Sequence, residues 1–296
     1  MSALVAPSNL RATPLSVPLQ LPTRRYGRRH RLKSLSPASI RAFEKCPEAF
    51  RRQYLLGEKA PPNLSMTLGS VVGDTLGHYF QGRIGGHPPT PADLDDLALE
   101  LFAAKIVEAV LGDEDDPELG KRQCRSAVAD YLNEIAPQVE PISVERRASF
   151  RYSEEQEWRF VCYFDLECAR ELADLKFGRS EVKEDRADRD LQATAQTFMR
   201  WAERNPAEFA FHAATHERPV GGPRWQVIPA PRTVPQLVAF QHRVARVARL
   251  IAHLDQTEPA EWPLSSDLGW WCAPRIGGEG CPHWERCPVG ATPTPA

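Results

Sequence analysis

The segment FDLECARELADLKFGR, residues 164–179, decides the fold. Two short apolar runs are bounded by charges and separated by a short turn, a pattern that predicts two strands of a hairpin. Asp165 lies on the first run, and Asp174 and Lys176 lie on the second. Residues two apart on a strand share a face, so Asp174 and Lys176 should point to the same side. The hairpin should bring Asp165 near both.

Two carboxylates and an ammonium are the groups that metal-dependent phosphodiester hydrolysis uses. Carboxylates hold a divalent cation, a water attacks, and a positive side chain stabilises the developing charge. Taken alone, Asp-x-Lys is a weak signal, because both residue types are common on solvent-facing strands. The hairpin therefore leaves both an active site and a solvated strand face open.

Helical and strand-like patterns alternate around this hairpin, which predicts an α/β (α+β) protein with a central sheet. Ser36 is a suitable N-cap with Pro37 at the first helical position, and helical spacing continues to Gly57. Further helices are expected from about Thr67 and over 93–112, 121–137, 190–204 and 235–254. Strands are expected over 143–152, 157–168, 171–178, 209–220 and 224–232.

Four cysteines lie at the two ends of this pattern. Cys46 sits in FEKCPEAF, and Cys272, Cys281 and Cys287 crowd into GWWCAPRIGGEGCPHWERCP. Thiolates gathered in this way hold zinc or an iron–sulfur cluster, and the spacing alone leaves both open. If all four bind one centre, the metal joins the two ends of the chain. The other three cysteines lie in apolar settings and are interpreted as core residues: Cys124, Cys162 and Cys168.

The composition is that of an ordinary soluble globular protein, with 42% hydrophobic and 26% charged residues. No apolar run approaches the roughly 20 residues of a membrane span. The N-terminus lacks a signal-peptide layout, so we expect a cytoplasmic protein without membrane contact. A net charge of −2 means that any nucleic-acid contact must come from local basic patches.

Residues 1–33 contain such a patch. They are rich in Pro and basic residues and show no hydrophobic period, so we predict a disordered or weakly docked arm. Seven of the last eleven residues of the arm are Arg, Lys or His. The arm is either a solubilising tail or a phosphate-binding segment. The candidate nucleic-acid contacts are Arg24, Arg25, Arg28, Arg29, Arg31 and Lys33.

The order of motifs resembles the RecB-like branch of the PD-(D/E)XK nuclease superfamily, including AddB-type and CRISPR-associated members with an iron–sulfur cluster. A helix with SLSPASIRAFEKCP comes first, and the Gly-led helix LGSVVGDTL follows. A strand ending in Asp, the strand DLKFG, a helix beginning QATAQ and three clustered cysteines complete the series. The resemblance covers residues 34–290, between the basic arm at 1–33 and a tail at 291–296.

The resemblance implies a restriction-endonuclease-like central mixed sheet flanked by helices. By the same resemblance, Asp165 and Asp174 bind Mg²⁺ or Mn²⁺, Lys176 orients the attacking water, and Gln192 contacts the substrate or the metal-site water. The four terminal cysteines are implied to hold a structural [4Fe–4S] cluster in preference to zinc: Cys46, Cys272, Cys281 and Cys287.

The implied activity is that of a metal-dependent DNA nuclease, an exonuclease or end-processing enzyme in recombination, repair or replication. Its substrate is expected to be single-stranded or end-containing DNA. No Walker motif is present in the sequence, so a helicase or recombination partner would be a separate protein.

Some positions depart from the family pattern. The family has a histidine four residues after the helix glycine Gly69, and here Gly73 stands there. His78 lies further along the helix and faces a different direction. The tyrosine of the family's Gln-x-x-x-Tyr motif is replaced by Gln196, and the interval between the two Asp residues is short.

These departures keep a second interpretation open, a catalytically weak or inactive DNA-binding or scaffold subunit with a nuclease fold. The intact Asp165, Asp174 and Lys176 favour the active enzyme. A zinc-joined interaction protein without nucleic acid is a third interpretation. Glu145 matches an acidic residue common on the family's first strand, although a solvated strand position explains it more simply.

Overall fold

The computed structural model describes residues 34–151, 159–216, 225–265, 272–273 and 280–287. The basic arm at 1–33 and the tail at 291–296 lie outside the described residues, so the predictions made for them stay predictions. No helix among the described residues is long and apolar enough to cross a bilayer.

Six strands form one mixed sheet. Strands β1 and β3 are parallel, as are β4 and β5, whereas β2–β3, β3–β4 and β5–β6 are antiparallel. Strand β2 follows one edge of β3 along its whole length, so β1 and β4 share the opposite edge at its two ends. The strands are β1 Ser34–Leu35, β2 Pro141–Arg151, β3 Arg159–Cys168, β4 Glu171–Gly178, β5 Glu208–Thr215 and β6 Gln226–Pro229.

Eight α-helices cover the two faces of this sheet in the part of the chain that the structure describes. They are α1 Pro37–Lys45, α2 Pro47–Phe50, α3 Leu64–Ile84, α4 Pro91–Ile106, α5 Pro117–Glu134, α6 Glu184–Ala187, α7 Leu191–Ala202 and α8 Val234–Leu254. The expected α/β class with a central mixed sheet is confirmed.

The first helix begins as predicted but does not run unbroken to Gly57. Ser36 accepts a hydrogen bond from the backbone N–H of Ser39, and Pro37 occupies the first turn. Cys46 then takes an extended conformation (φ −160°, ψ 106°) that separates α1 from α2. Proline disfavours the helical conformation of the residue before it, so Pro47 explains the break. A π-helical turn at Arg51–Leu55 completes this region.

Two hydrophobic cores lie on opposite faces of the sheet. The first core, packed by α1, α7 and α8, contains an aromatic group in which Phe240 lies 5.3 Å from both Phe160 and Phe198 by ring centroids. The second core is packed by α3, α4 and α5 around the fully buried Tyr131. Cys124 and Cys162 are buried, and burial raises the pKa of each to about 12. Both are core residues, as expected, whereas Cys168 is half-buried at the edge of the second core.

The close approach of α3 to the sheet depends on Gly69. A Cβ at this position would lie 2.8 Å from the carbonyl oxygen of Phe177 on β4, a distance that the packed backbone cannot accept. Gly73, one turn further along α3, faces open space with no atom within 4 Å of a Cβ. The two glycines therefore have different physical roles on one helix.

Gly69→Ala and Gly73→Ala should change stability in opposite directions. We expect Gly69→Ala to lower the free energy of unfolding by about 1–3 kcal/mol, because overpacking forces α3 away from β4. Gly73→Ala should raise it by up to about 1 kcal/mol through helix propensity. Urea unfolding of both variants checks this, and equal effects of the two substitutions would contradict the assigned packing.

Candidate active site

The strands β3 and β4 form a fork at the two predicted carboxylates. They pair at Leu166–Ala173 and Glu167–Leu172, and the next opposed positions are Asp165 and Asp174. There the ladder ends, and the backbone N–H of Leu175 donates to Asp165 Oδ2 at 2.9 Å. The Asp165 carboxylate oxygen thus accepts an N–H that a backbone carbonyl of β3 would accept in a continued ladder. Asp165 and Asp174 therefore both lie where β3 and β4 separate.

Asp174 is fully buried and is held from two sides. Lys176 Nζ lies 2.6 Å from Asp174 Oδ2, as expected for residues two apart on one strand. Gln192 Nε2 donates to Asp174 Oδ1 at 2.5 Å from the first turn of α7. The side chain of Asp190 caps this turn by accepting the N–H of Gln192 and of Ala193. The structure therefore brings together the four site residues that the sequence predicts: Asp165, Asp174, Lys176 and Gln192.

Gln196 joins the two arms of the fork. Its Nε2 donates to the carbonyl oxygen of Tyr163 on β3 at 2.8 Å and lies 3.4 Å from Asp174 Oδ1 on β4. Tyr163 lies beyond the last paired residues of β3 and β4, and Gln196 supplies its carbonyl with a hydrogen bond there. In the sequence, Gln196 stood out only as a departure from a tyrosine motif, and its contacts depend on the fork.

The charges at the fork are unbalanced. Burial raises the pKa of Asp174. Although the Asp165 side chain keeps some contact with solvent, burial of its carboxyl and the negative charge of Asp174 raise its pKa well above the ordinary value. Burial lowers the pKa of Lys176, but the charges of Asp174 and Asp165 outweigh it and raise the pKa overall. Two carboxylates share one ammonium, which leaves a site suited to a divalent cation.

Glu145 borders this site and is exposed on β2, as the interpretation of a solvated strand position predicts. The β2–β3 register sets Glu145 opposite Asp165, between the pairs Val144–Leu166 and Arg146–Phe164. Its backbone is in the left-handed region with φ 51°. Phe164 belongs to the first core and Leu166 to the second, so the side-chain alternation of the sheet changes at this position.

Asp74 on α3 is a further acidic neighbour that the sequence analysis missed. Partial burial and the charges of Asp74 and Asp174 raise the pKa of Glu145. Because the Glu145 side chain is exposed, solvent screens these interactions. The raised pKa therefore shows that Asp74 and Asp174 lie near Glu145, and it does not imply a large change in the stability of the fold. Lys105 Nζ lies 2.8 Å from Asp74 Oδ2. The sequence does contain a signal for Asp74, because this acidic residue directly follows Gly73, the position of the family's histidine.

The histidine position itself is open in this chain. A Cβ added at Gly73 would meet no atom within 4 Å, so this position has room for a side chain. His78 is exposed on α3, and no contact among the described residues joins it to the carboxylates. His78 therefore does not take the place of the missing histidine.

The four terminal cysteines meet at one cavity. Cys46, Cys272, Cys281 and Cys287 are free thiols that line a space of about 240 Å³. Burial, followed by the neighbouring Cys281, Cys287 and Cys46, raises the pKa of Cys272. Within the described ranges, no group of three or more His, Cys, Asp or Glu residues has the geometry of a metal site. Cys46 and the three later cysteines meet as expected, and the identity of the centre stays a prediction.

A comparison with protein families accounts for this arrangement of strands and carboxylates. Residues 34–288 match the model of the PD-(D/E)XK nuclease superfamily. The chain belongs to that superfamily. As a PD-(D/E)XK chain it is also similar to a solved structure from Eubacterium rectale described as a "Putative exonuclease", at 12% identity and a TM-score of 0.51. That match covers 80% of this chain and 85% of the other, and it supports the fold. No curated protein matches the chain.

Membership of the PD-(D/E)XK superfamily confirms the restriction-endonuclease-like fold and supports a nuclease. These nucleases generally use divalent metals such as Mg²⁺. The residues at the fork fit such an ion, because Asp165 and Asp174 offer oxygen donors and carry one negative charge beyond that of Lys176. The AddB-type assignment and the iron–sulfur cluster stay predictions.

Asp165→Asn should stabilise the metal-free protein. A carboxyl whose pKa is raised on folding favours the fold below its ordinary pKa, and that stability is lost as the pH rises through the raised value. The amide cannot ionise, and its oxygen can still accept the Leu175 N–H. We therefore expect a melting temperature in EDTA a few degrees above that of the parent at pH 7 to 8, and little difference near pH 4.

The control is Asp113→Asn, which alters an exposed carboxylate and should leave the melting temperature unchanged at every pH. A lower melting temperature for Asp165→Asn at pH 8 would show that the Asp165 carboxylate is not electrostatically strained in the metal-free fold.

Proposed function

We propose that this chain is a divalent-metal-dependent deoxyribonuclease that acts on DNA ends. The observation that carries the proposal is the fork, where two carboxylates and one ammonium meet between diverging strands. The superfamily supports a nuclease, and the name of the Eubacterium rectale protein is in keeping with an exonuclease.

Asp165 and Asp174 would hold the metal, which when bound supplies Lewis acidity and an activated water. The Lys176 side chain is 40% exposed while its ammonium contacts the buried Asp174, so it can reach a phosphate oxygen at the mouth of the fork. The raised pKa of Lys176 keeps it protonated, as charge stabilisation requires. Gln192 holds Asp174 Oδ1 and thereby sets the direction in which the other oxygen points.

An inactive scaffold is less well supported. In that case the carboxylates would no longer need to stay buried and charged, yet Asp174, Lys176 and Gln192 form a connected set. Gln196 takes up contacts to both arms of the fork at the position of the family's tyrosine. The replacement is thus compatible with an ordered site.

We further propose that the four cysteines hold a structural [4Fe–4S] cluster, with zinc as the alternative. Support comes from four free thiols, contributed by both ends of the chain, around one cavity. Thiolate ligands of this number suit either centre. A centre here would close a long loop and remove conformational entropy from the unfolded chain. The basic residues at 24–33 would add phosphate contacts.

Asp174→Asn and Lys176→Ala should each reduce metal-dependent cleavage of labelled DNA by at least about 100-fold. The first weakens the metal ligands, and the second removes the cation beside them. Cleavage is measured with defined single-stranded and duplex ends, with and without Mn²⁺. The matched control is Lys121→Ala, which removes a partly exposed lysine of α5 that pairs with Glu118. This variant should cleave at the parent rate. Parent-level cleavage by either site variant would overturn the assignment.

Anaerobically purified protein should be brown, with broad absorption near about 400 nm from thiolate-to-iron charge transfer. Cys46→Ser and Cys281→Ser should lose this colour and much of the soluble yield. Cys124→Ser, a buried cysteine outside the cavity, should keep the absorption. Colourless protein with stoichiometric zinc would decide for the alternative centre.

A further inference from the structure

Beyond the fork, the face of β2 and β3 opposite the first core carries several exposed side chains around the buried Val161. On one side of these strands, Ala148, Phe160 and Cys162 pack into the first core. On the opposite side, four exposed residues alternate with them: Arg147, Arg151, Arg159 and Tyr163. We call these four residues the arginine–tyrosine strip.

The sheet register aligns the strip with the fork. Arg147 lies directly opposite Tyr163, and Arg151 lies opposite Arg159. Tyr163 precedes Asp165 by two residues, which places it about 7 Å from that residue along the strand. The far pair lies about 20 Å from the fork at the same rise per residue. The strip is therefore a line of positive and aromatic groups on β2 and β3 that ends two residues before Asp165.

The strip residues are available to a ligand. Arg147 and Arg151 form no ion pair with any described residue, and Arg159 makes a long contact of 3.4 Å to the Ser149 hydroxyl. The neighbouring Arg146, by contrast, is bound by Glu167 and Glu203. The Tyr163 side chain is 50% exposed. Free guanidinium groups around an exposed ring are suited to an anionic, aromatic polymer.

We propose that the arginine–tyrosine strip binds the single-stranded DNA end that the fork cleaves. Unpaired bases stack on aromatic rings, whereas bases within a duplex are unavailable, so Tyr163 favours a single strand. The arginines neutralise backbone phosphates on the way to Asp165. This inference rests on the proposed nuclease function and adds the surface by which the substrate would reach the site.

Arg147 and Tyr163 are the sharper positions to test. Arg151 and Arg159 flank residues 152–158, whose sequence contains three glutamates that would offset their charge. Arg122 on α5 provides a matched control, because it is exposed and forms no ion pair with the described residues. Tyr163→Phe keeps the ring and tests stacking apart from the hydroxyl.

Binding of a fluorescent single-stranded oligonucleotide is measured in EDTA, where cleavage is stopped. We expect Tyr163→Ala to weaken binding about tenfold and Tyr163→Phe to bind as the parent does. Arg147→Ala should weaken binding at low salt and reduce the slope of log K against log salt by about 0.7. Arg122→Ala should change neither. In cleavage assays with metal, Tyr163→Ala should raise KM and leave kcat unchanged.

Parent-level binding by both Tyr163→Ala and Arg147→Ala, with an active parent enzyme, would overturn the strip and leave the proposed function intact. Equal losses on a blunt duplex and on a single strand would overturn the assignment to single-stranded DNA. A fall in kcat with unchanged KM would make Tyr163 a structural residue. A parent protein that neither binds nor cleaves DNA would refute the proposed function itself.

Discussion

The site depends on burying a charged carboxylate inside a sheet. A lone carboxylate at the position of Asp174 would pay a large desolvation penalty, which partners must offset. Lys176 supplies the opposite charge from the same strand, and Gln192 and Gln196 supply amide donors from α7. The packing of α7 on the sheet, the separation of β3 from β4 and the retained charge at the fork all accompany this arrangement.

Helix α7 meets the sheet with a polar stripe as well as an apolar one. Gln192, Gln196 and Arg200 recur every four residues, which aligns them along one side of the helix. The two glutamines contact Asp174, and the fully buried Arg200 pairs with Glu167 on β3. A second guanidinium, from Arg146, reaches the same glutamate. Charges buried at the base of the fork are thus paired, whereas those at its mouth keep a negative excess.

Local rules account for much of what the sequence predicts. The period of two residues along a strand places Lys176 beside Asp174, and Ser36 with Pro37 marks the start of α1. The soft-ligand chemistry of cysteine suggested that the chain ends would meet, and the four thiols do line one cavity. These features follow from residue type and spacing, which any single sequence displays.

Features that depend on tertiary geometry could not be foreseen in this way. The fork is a property of strand register, and Gln196 reaches both the Tyr163 carbonyl and Asp174 only because the two arms of the fork lie beside α7. The left-handed backbone at Glu145 is unusual for a glutamate, so residue type gives no indication of it. The approach of Asp74 requires knowledge of how α3 crosses the sheet.

The contacts of β1, α1 and Cys46 with later segments of the chain have a consequence for synthesis. Strand β1 pairs with β3, and α1 packs against α7 and α8, so the earliest described segment finds its partners only among residues translated much later. Cys46 leaves the ribosome long before Cys281 and Cys287. Because contacts between distant residues slow folding, α1 stays without its packing partners until α7 and α8 have been translated. Until then the apolar face of this helix, with Ile40 and Phe43, is uncovered in the nascent chain.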